Sequence, residues 1–388
     1  MRLKPFLLDE WLDTYEHSAE FNLAASTGPA WTLNEILSLA DDEERQRFLN
    51  HKVVYSRPAG ADSLRSAIAG MHGADVEAVQ IVTGASEALL ILMWLAAEPG
   101  ANVVLPQPGF TTFSALPESL RVETRYYAIR QENGFRFDLE EIKMLADRNT
   151  KLILVNSPHN PTGATISDAE LDDLHEFTSS RGIQLVSDEV YHPIFHREPA
   201  KSASRLPHAT VIHDFSKAFP LSGVRTGWMI EQDPKRRKDY WTARSYFSIT
   251  NNTSGEILAE IAMRRRDIVL GRTQKIASEN LRQLDSFLSG HRETIGWIPP
   301  RGGMTAFPWL RSGENTREFC RAAAGRGIVL APGDCFDAPP HFRLGFAAMT
   351  DKFPNALDRL GEFIKSWSGA NMERALASSA SHCRDQLD

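Results

Sequence analysis

The chain of 388 residues predicts an α/β fold: a large domain with a mostly parallel sheet between helices, and a smaller α+β domain built from both chain ends. Three observations predict it. From about Gln80 onward, short β-branched runs alternate with helical stretches. Those runs are apolar along their whole length, as strands covered on both faces are. After about Ser254 the rhythm changes to long helical stretches and isolated short strands.

The first 45 residues have no partner in the alternating series and are expected to join the smaller domain. QIVTG (80–84) reads as a strand ending at a glycine. ASEALLILMWLAAEPG then reads as a helix, with Ser86 near its start and Gly100 past its end. ANVVLP, TKLILVN, IQLVSD, ATVIHDF and TGWMIE read as further buried strands, and DLEEIKMLADR and SDAELDDLHEFTSSRG as helices between them. This β-α-β order places helices on both faces of the sheet. Residues 255–290 read as long and helical, with room for a break near Gly271. IGWIPP, MTAFPWL and HFRLGFA are short strands, with helices at NTREFCRAAAGRG and NALDRLGEFIKSW. The expected division is a segment 1–45 joining the small domain, a large domain 46–275, a small domain 276–368 and a polar tail 369–388.

Hydrophobic residues make up 42% and charged residues 24%, which is ordinary for a soluble globular protein. A net charge of −7 argues against nucleic acid and anionic membranes as partners. The basic run KRRK at 235–238 is short and reads as a solvated helix start. Cys320, Cys335 and Cys383 form neither a CxxC pair nor an even disulfide framework, which points to a reducing compartment. The N-terminal MRLKPFLLDEWLD carries acids too early for a signal peptide, and ALLILMWLAA is too short to span a membrane. The expectation is a cytoplasmic enzyme. His192 and His196 are four apart, a spacing that suits a metal on a helix, but Pro193 stands between them and no metal is expected.

In open α/β sheets, ligands sit at the carboxyl ends of the strands. The residues predicted there are Gly84-Ala85-Ser86, Pro108-Gly109-Phe110, Asn156 to Gly163, Asp188 to Tyr191, and Ser216-Lys217. Together they offer an anion cradle, an aromatic plate, an amide, a carboxylate with a phenol, and an amine. A phosphorylated aromatic aldehyde uses all of them.

Seven segments occur in a telling order: YSRPAGADSLRSAIA, VTGASEAL, PQPGFTTF, NSPHNPTG, SDEVY, FSKAFPLSGVRTGW and HFRLGF. From about Tyr55 to Gly345 the chain resembles the fold-type I pyridoxal-phosphate (PLP) enzymes of the class I/II aminotransferase group. The resemblance implies that the large domain binds PLP. Lys217 would form a Schiff base with the PLP aldehyde and then act as base and acid. Ser216 and Arg225 would hold the phosphate, with Gly84, Ala85 and Ser86 at a helix N-terminus; a plain N-cap is the bland reading of Ser86. Asp188 would keep the pyridine nitrogen protonated, making the ring an electron sink for a quinonoid intermediate. Tyr191 and Asn160 would bond to the ring's phenolic oxygen, and Phe110 would stack on its face. Arg343 would clamp the substrate α-carboxylate, with Asn160 and Gly28 also lining the substrate site. Tyr55 would reach the phosphate of the neighbouring subunit, which implies a homodimer with shared sites. Arg244 could reach toward a substrate from the partner subunit, although a surface or interface role is favoured.

Two features depart from the family pattern. Where the group has Ser or Thr three residues before the lysine, this chain has Asp214. A carboxylate beside a phosphate dianion is repelled. Asp214 is therefore expected to face away and bond nearby backbone or a neighbouring side chain. Phosphate binding would then lean on Ser86, Ser216, Arg225 and the partner subunit's Tyr55. The N-terminal AASTGPAWTLNEI also departs, and with PRGGMTAFPWL it is similar to capreomycidine synthase, a cyclising enzyme of the same fold. The resemblance therefore implies a PLP-dependent enzyme acting on the α-amino group of an L-amino acid. An aminotransferase with ping-pong kinetics is the first reading, and elimination, replacement or cyclisation the alternative. A PLP-sensing regulator is disfavoured, because no basic helix-turn-helix pattern precedes Tyr55.

Overall fold

A computed structural model describes residues 3–367. After a two-residue strand β1 (Phe21–Asn22), seven strands pair into one sheet: β2 (Val79–Val82), β3 (Asn102–Gln107), β4 (Glu123–Ala128), β5 (Thr150–Asn156), β6 (Gln184–Asp188), β7 (Ala209–Asp214) and β8 (Gly227–Ile230). Their order is β2-β8-β7-β6-β5-β3-β4. All pairs are parallel except those of β8, which runs against both β2 and β7. The mostly parallel sheet expected from the apolar runs is present. Six of its strands coincide with the predicted runs to within two residues at each end. The unexpected one, β4, is the edge strand, whose ETRYYA reads too polar for a buried strand.

The helices are α1 (Leu7–Tyr15), α2 (Leu33–Ser38), α3 (Asp42–Asn50), α4 (Asp62–His72), α5 (Ala85–Ala96), α6 (Thr111–Ser119), α7 (Leu139–Leu145), α8 (Asp168–Ser179), α9 (Pro234–Phe247), α10 (Thr253–Arg264), α11 (Arg266–Ser289) and α12 (Arg317–Ala324), with another at 353–367. Alternate residues of each strand enter cores on opposite faces of the sheet. Val103, Leu105, Leu154 and Met229 pack with α5, α6 and α9. Val104, Ile153, Val155 and Ile230 belong to a larger cluster with α4, α8 and α10. Burial on both faces explains why these runs are apolar throughout.

The break in the long helical stretch falls at Arg265 rather than near Gly271. Gly271 lies inside α11, where a single glycine costs only about 1 kcal/mol. At Arg265 the backbone leaves the helical region (φ −108°, ψ 25°) and the guanidinium pairs with Glu44 at 2.8 Å. The run KRRK opens α9 as predicted: Asp233 accepts from the Lys235 and Arg236 amides, and Arg236 makes two bonds to Glu231.

Short strands β9 (Ile295–Gly296), β10 (Thr305–Ala306), β11 (Trp309–Leu310), β12 (Ile328–Val329), β13 (Ala331–Pro332) and β14 (Phe342–Gly345) lie toward the C-terminus. β1 pairs in parallel with β12, so residues from near the two ends meet. The tail expected at 369–388, with Cys383, lies outside the described residues. Among the described residues no helix is long and apolar enough to cross a membrane.

Candidate active site

Strands β5, β6 and β7 end in step. Asn156 pairs with Asp188, and Asp188 with Ile212, two residues before Asp214. Asn156 reinforces this edge: its amide donates to the Asp188 carbonyl at 3.1 Å, and its Oδ1 accepts the Asn160 N–H at 2.8 Å. Asp188 is buried and its carboxylate accepts one bond, from the Val190 N–H at 3.2 Å. Burial pushes its carboxyl up to about 7, opposed by the Val190 bond and helped by the Asp214 and Glu189 carboxylates.

Lys217 lies beyond the end of β7. Its Nζ donates to Ser26 Oγ at 3.2 Å. Arg343, on β14, is fully enclosed. Its Nη1 donates to Asn160 Oδ1 at 3.1 Å, its Nη2 to the Ala24 carbonyl at 2.7 Å, and Phe336 lies 4.9 Å beneath it. Arg343 Nε and the Tyr191 hydroxyl are buried without a hydrogen-bond partner among the described residues.

At the start of α5, Gly84 is the N-cap with φ 76°, and a side chain there would sit 2.8 Å from Arg225 Nη2. Arg225 Nη1 donates to Ser216 Oγ at 3.4 Å and to the Ser222 carbonyl at 3.1 Å. The guanidinium, Ser216 and the first α5 amides thus form one cup. Ser86 is exposed and makes no capping bond, so the plain N-cap reading of it does not hold. Asp214 bonds backbone as expected, but it does not face away. Its Oδ1 accepts the Ser216 N–H at 2.9 Å, and its Oδ2 faces the Ala85 N–H at 3.4 Å, inside the cup. Gly84→Ala is expected to cost about 1–3 kcal/mol of strain at this positive φ. Equilibrium unfolding and cofactor titration would register the loss together.

Phe110 is half-buried, edge-on to Phe6 at 5.8 Å and to Phe113 at 6.0 Å. Gly28 sits behind the lysine: its N–H faces the Lys217 carbonyl at 3.4 Å, and an added Cβ would lie 2.8 Å from Thr273. Tyr55 is 80% exposed, and its side chain makes no hydrogen bond among the described residues. Arg244 corrects the expectation of an interface or cross-subunit role. It is 1% exposed and tied to Glu87, Asn251 and the Pro58 carbonyl of its own chain. His192 and His196 bond to backbone carbonyls of Ala200 and Gly303, and no metal-holding cluster of His, Cys, Asp or Glu occurs among the described residues.

Three neighbours were not legible in the sequence: Ser26, Phe336 and Asp9. Asp9 stands on α1, which Trp11 pins through its indole N–H to the Leu330 carbonyl at 2.8 Å. Burial raises the Asp9 carboxyl above its ordinary value, offset by the Lys217 amine. The one available signal was that NLAAS and the α1 segment had no partner in the β-α-β series.

Comparison with known proteins decides the family. Residues 30–360 match the model of "Aminotransferase class I and II". The chain belongs to this family. Class I/II aminotransferases are PLP-dependent, and the residues present fit that group: a cup of donors around Arg225 for a phosphate, a desolvated carboxylate, an unpartnered phenol and a lysine amine. Within the family the chain is 26% identical to capreomycidine synthase of Streptomyces vinaceus over 92% of each chain. It superimposes on a PLP-dependent aminotransferase of Streptococcus suis with a TM-score of 0.88, at 27% identity over 94% of this chain and 99% of that one. It superimposes on the PLP-dependent cyclase OrfR with a TM-score of 0.86, at 26% identity over 94% and 98%.

Proposed function

We propose that the protein transfers the α-amino group of an L-amino acid to a keto acid in two half-reactions with ping-pong kinetics. The observation that carries this reading is Arg343. It is a buried cation with no carboxylate partner among the described residues, bonded instead to the Asn160 amide oxygen and the Ala24 carbonyl. An enclosed charge without a counter-ion is costly, so the site favours an anion. A substrate α-carboxylate supplies one, and bidentate pairing fixes the amino acid's orientation.

Bound PLP supplies an aldehyde that captures amines and a ring that accepts an electron pair. The chain's own residues do the rest. Ser216, Arg225, the Gly84-Ala85 turn and Ser86 would hold the phosphate. Asp188 would keep a proton at the ring nitrogen. Tyr191, Asn160 and Phe110 would hold the ring. Lys217 Nζ would take the proton from the substrate Cα, with Ser26 Oγ holding that amine in place. Gly28 backs the lysine and lines the substrate site through its backbone.

Two copies sharing sites fit the exposure of Val53, Val54 and Tyr55, three consecutive side chains whose apolar surface a second subunit would cover. Tyr55 of the partner subunit would then complete the phosphate site. We read 46–275 as the cofactor-holding unit and 1–45 with 276–368 as the smaller unit. A cytoplasmic location fits Cys320 and Cys335, both free.

Elimination, replacement or cyclisation of the side chain is the second reading, and Asp9 favours it. A carboxyl exposed on α1 and set near Lys217 can protonate a leaving group or pair with a cationic side chain. Simple transamination requires neither. The likeness to capreomycidine synthase and to a cyclase supports the same reading. Holoenzyme is therefore to be mixed with a panel of L-amino acids and no keto acid. One equivalent of pyridoxamine phosphate per site is expected. Many turnovers of product without an acceptor would replace transamination with the second reading.

A further inference from the structure

We propose that Asp214 links cofactor binding to proton uptake: its carboxylate and the cofactor phosphate share one proton in the cup at the start of α5. The inference rests on the PLP reading of that cup. Asp214 is buried at the end of β7, and each of its oxygens faces a backbone amide, Ser216 on one side and Ala85 on the other. The Ala85 amide is one that a phosphate at this helix start needs. The carboxylate therefore already occupies part of the anion site.

It is also confined. A Cβ on Gly227 would lie 3.0 Å from the Asp214 Cβ and 2.9 Å from the Gly84 carbonyl carbon, so β8 and the Gly84 turn close in on both sides. Rotation out of the cup would give up the Ser216 bond. The charged and titratable groups around it are Arg225, Lys217, Asp188, Glu189 and His213. His213 supplies no charge: its Nδ1 accepts the Asp214 N–H at 2.8 Å, its Nε2 donates to the His192 carbonyl at 2.8 Å, and burial lowers its basicity. Asp188 adds a second carboxylate. Arg225 is the cation that touches the cup itself, and the Lys217 amine bonds to Ser26 instead.

A phosphate monoester loses its second proton near pH ~6. A dianion entering the cup adds two negative charges beside a carboxylate, with one guanidinium to answer them. Two acids forced into one site retain a proton between them. The proton comes from solvent on binding, and no covalent bond forms between the two acids.

The test is binding, not turnover. Pyridoxamine phosphate, which has the ring and phosphate but no aldehyde, and inorganic phosphate, which has no ring, are titrated into cofactor-free protein across neutral to alkaline pH. Wild type and Asp214→Ser are compared. Because Asp214 also raises the Asp188 carboxyl, the same comparison is repeated in an Asp188→Asn background, where the effects of the ring are common to both proteins and cancel. The wild-type dissociation constant is expected to rise about tenfold more per pH unit than that of the variant, the signature of one proton. Calorimetry of wild type in buffers of different ionisation enthalpy is expected to count about one proton taken up per site. This keeps the proposal testable if Asp214→Ser folds poorly, and Asp214→Asn is a second variant. Equal pH slopes with binding retained, or no proton uptake, overturn the linkage and leave the PLP reading standing. Failure of both probes to bind wild type overturns both.

Discussion

Lys217→Ala is expected to reduce turnover by roughly 10⁴-fold or more, since it removes both the covalent anchor and the acid–base group. The variant is also expected to bind cofactor without covalent attachment, so borohydride fixes no label to the chain. The geometry makes the lysine hard to replace. Among the described residues its amine has a single hydrogen-bond partner, Ser26 Oγ at 3.2 Å, which leaves it free to move a proton. Stability is expected to change little, because Lys217 makes no ion pair shorter than 4 Å within the described residues. Retention of turnover within tenfold of wild type would sink the assignment. A smaller fall in Ser26→Ala, with covalent attachment intact, would show that the hydroxyl positions the amine.

Asp188→Asn is expected to lower turnover by roughly 10²–10⁴-fold, from a loss of about 3–5 kcal/mol when one member of a buried charge pair is removed. The amide keeps the Val190 bond but cannot hold a proton at the ring nitrogen. The same substitution has an opposite effect on the cofactor-free protein. In the fold the Asp188 carboxyl is held up to about 7, against an ordinary 3.8. Between those pH values the folded protein binds a proton that the unfolded chain has released. Stability contributed at this site is therefore full at low pH, falls as pH rises through that window, and then levels. The substituted amide has no charge to desolvate, so the cofactor-free variant is expected to lack that slope and to melt above wild type at about pH 8. Melting curves of both proteins against pH check it. A lower midpoint for Asp188→Asn at alkaline pH would show that burial is not the dominant influence on this carboxyl.

Lys217, Asp188 and Asn160 were legible in the sequence because each sits at or just beyond the end of an apolar strand, where such folds gather ligands, while Arg225 lies two residues before β8, whose antiparallel course makes it begin at the same edge. The same logic fails for Ser26, Asp9 and Phe336. They belong to segments with no β-α-β rhythm, brought to the site by pairing across most of the chain. β4 was hidden because an edge strand needs only one covered side. The break at Arg265 was hidden because an ion pair to Glu44, not a glycine, marks it. Asp214 was visible as an anomaly, but its direction depended on how tightly Gly227 and Gly84 close around it.

Residues 21–28 meet β12, β14 and the lysine of the proposed substrate site. Phe21 and Asn22 pair with β12, Leu23 accepts the Gly345 N–H at 2.7 Å, Ala24 accepts from Arg343, and Ser26 holds the lysine. Ala24 and Arg343 are 319 positions apart. During synthesis this stretch leaves the ribosome early and waits for almost the whole polypeptide before its contacts exist. A large loop has to close first, and such non-local pairing slows folding. The amino-acid site is thus assembled late, after the sheet that carries the lysine can have formed. Chains halted before Gly345 are expected to be able to fold the sheet without ever gaining a place for substrate.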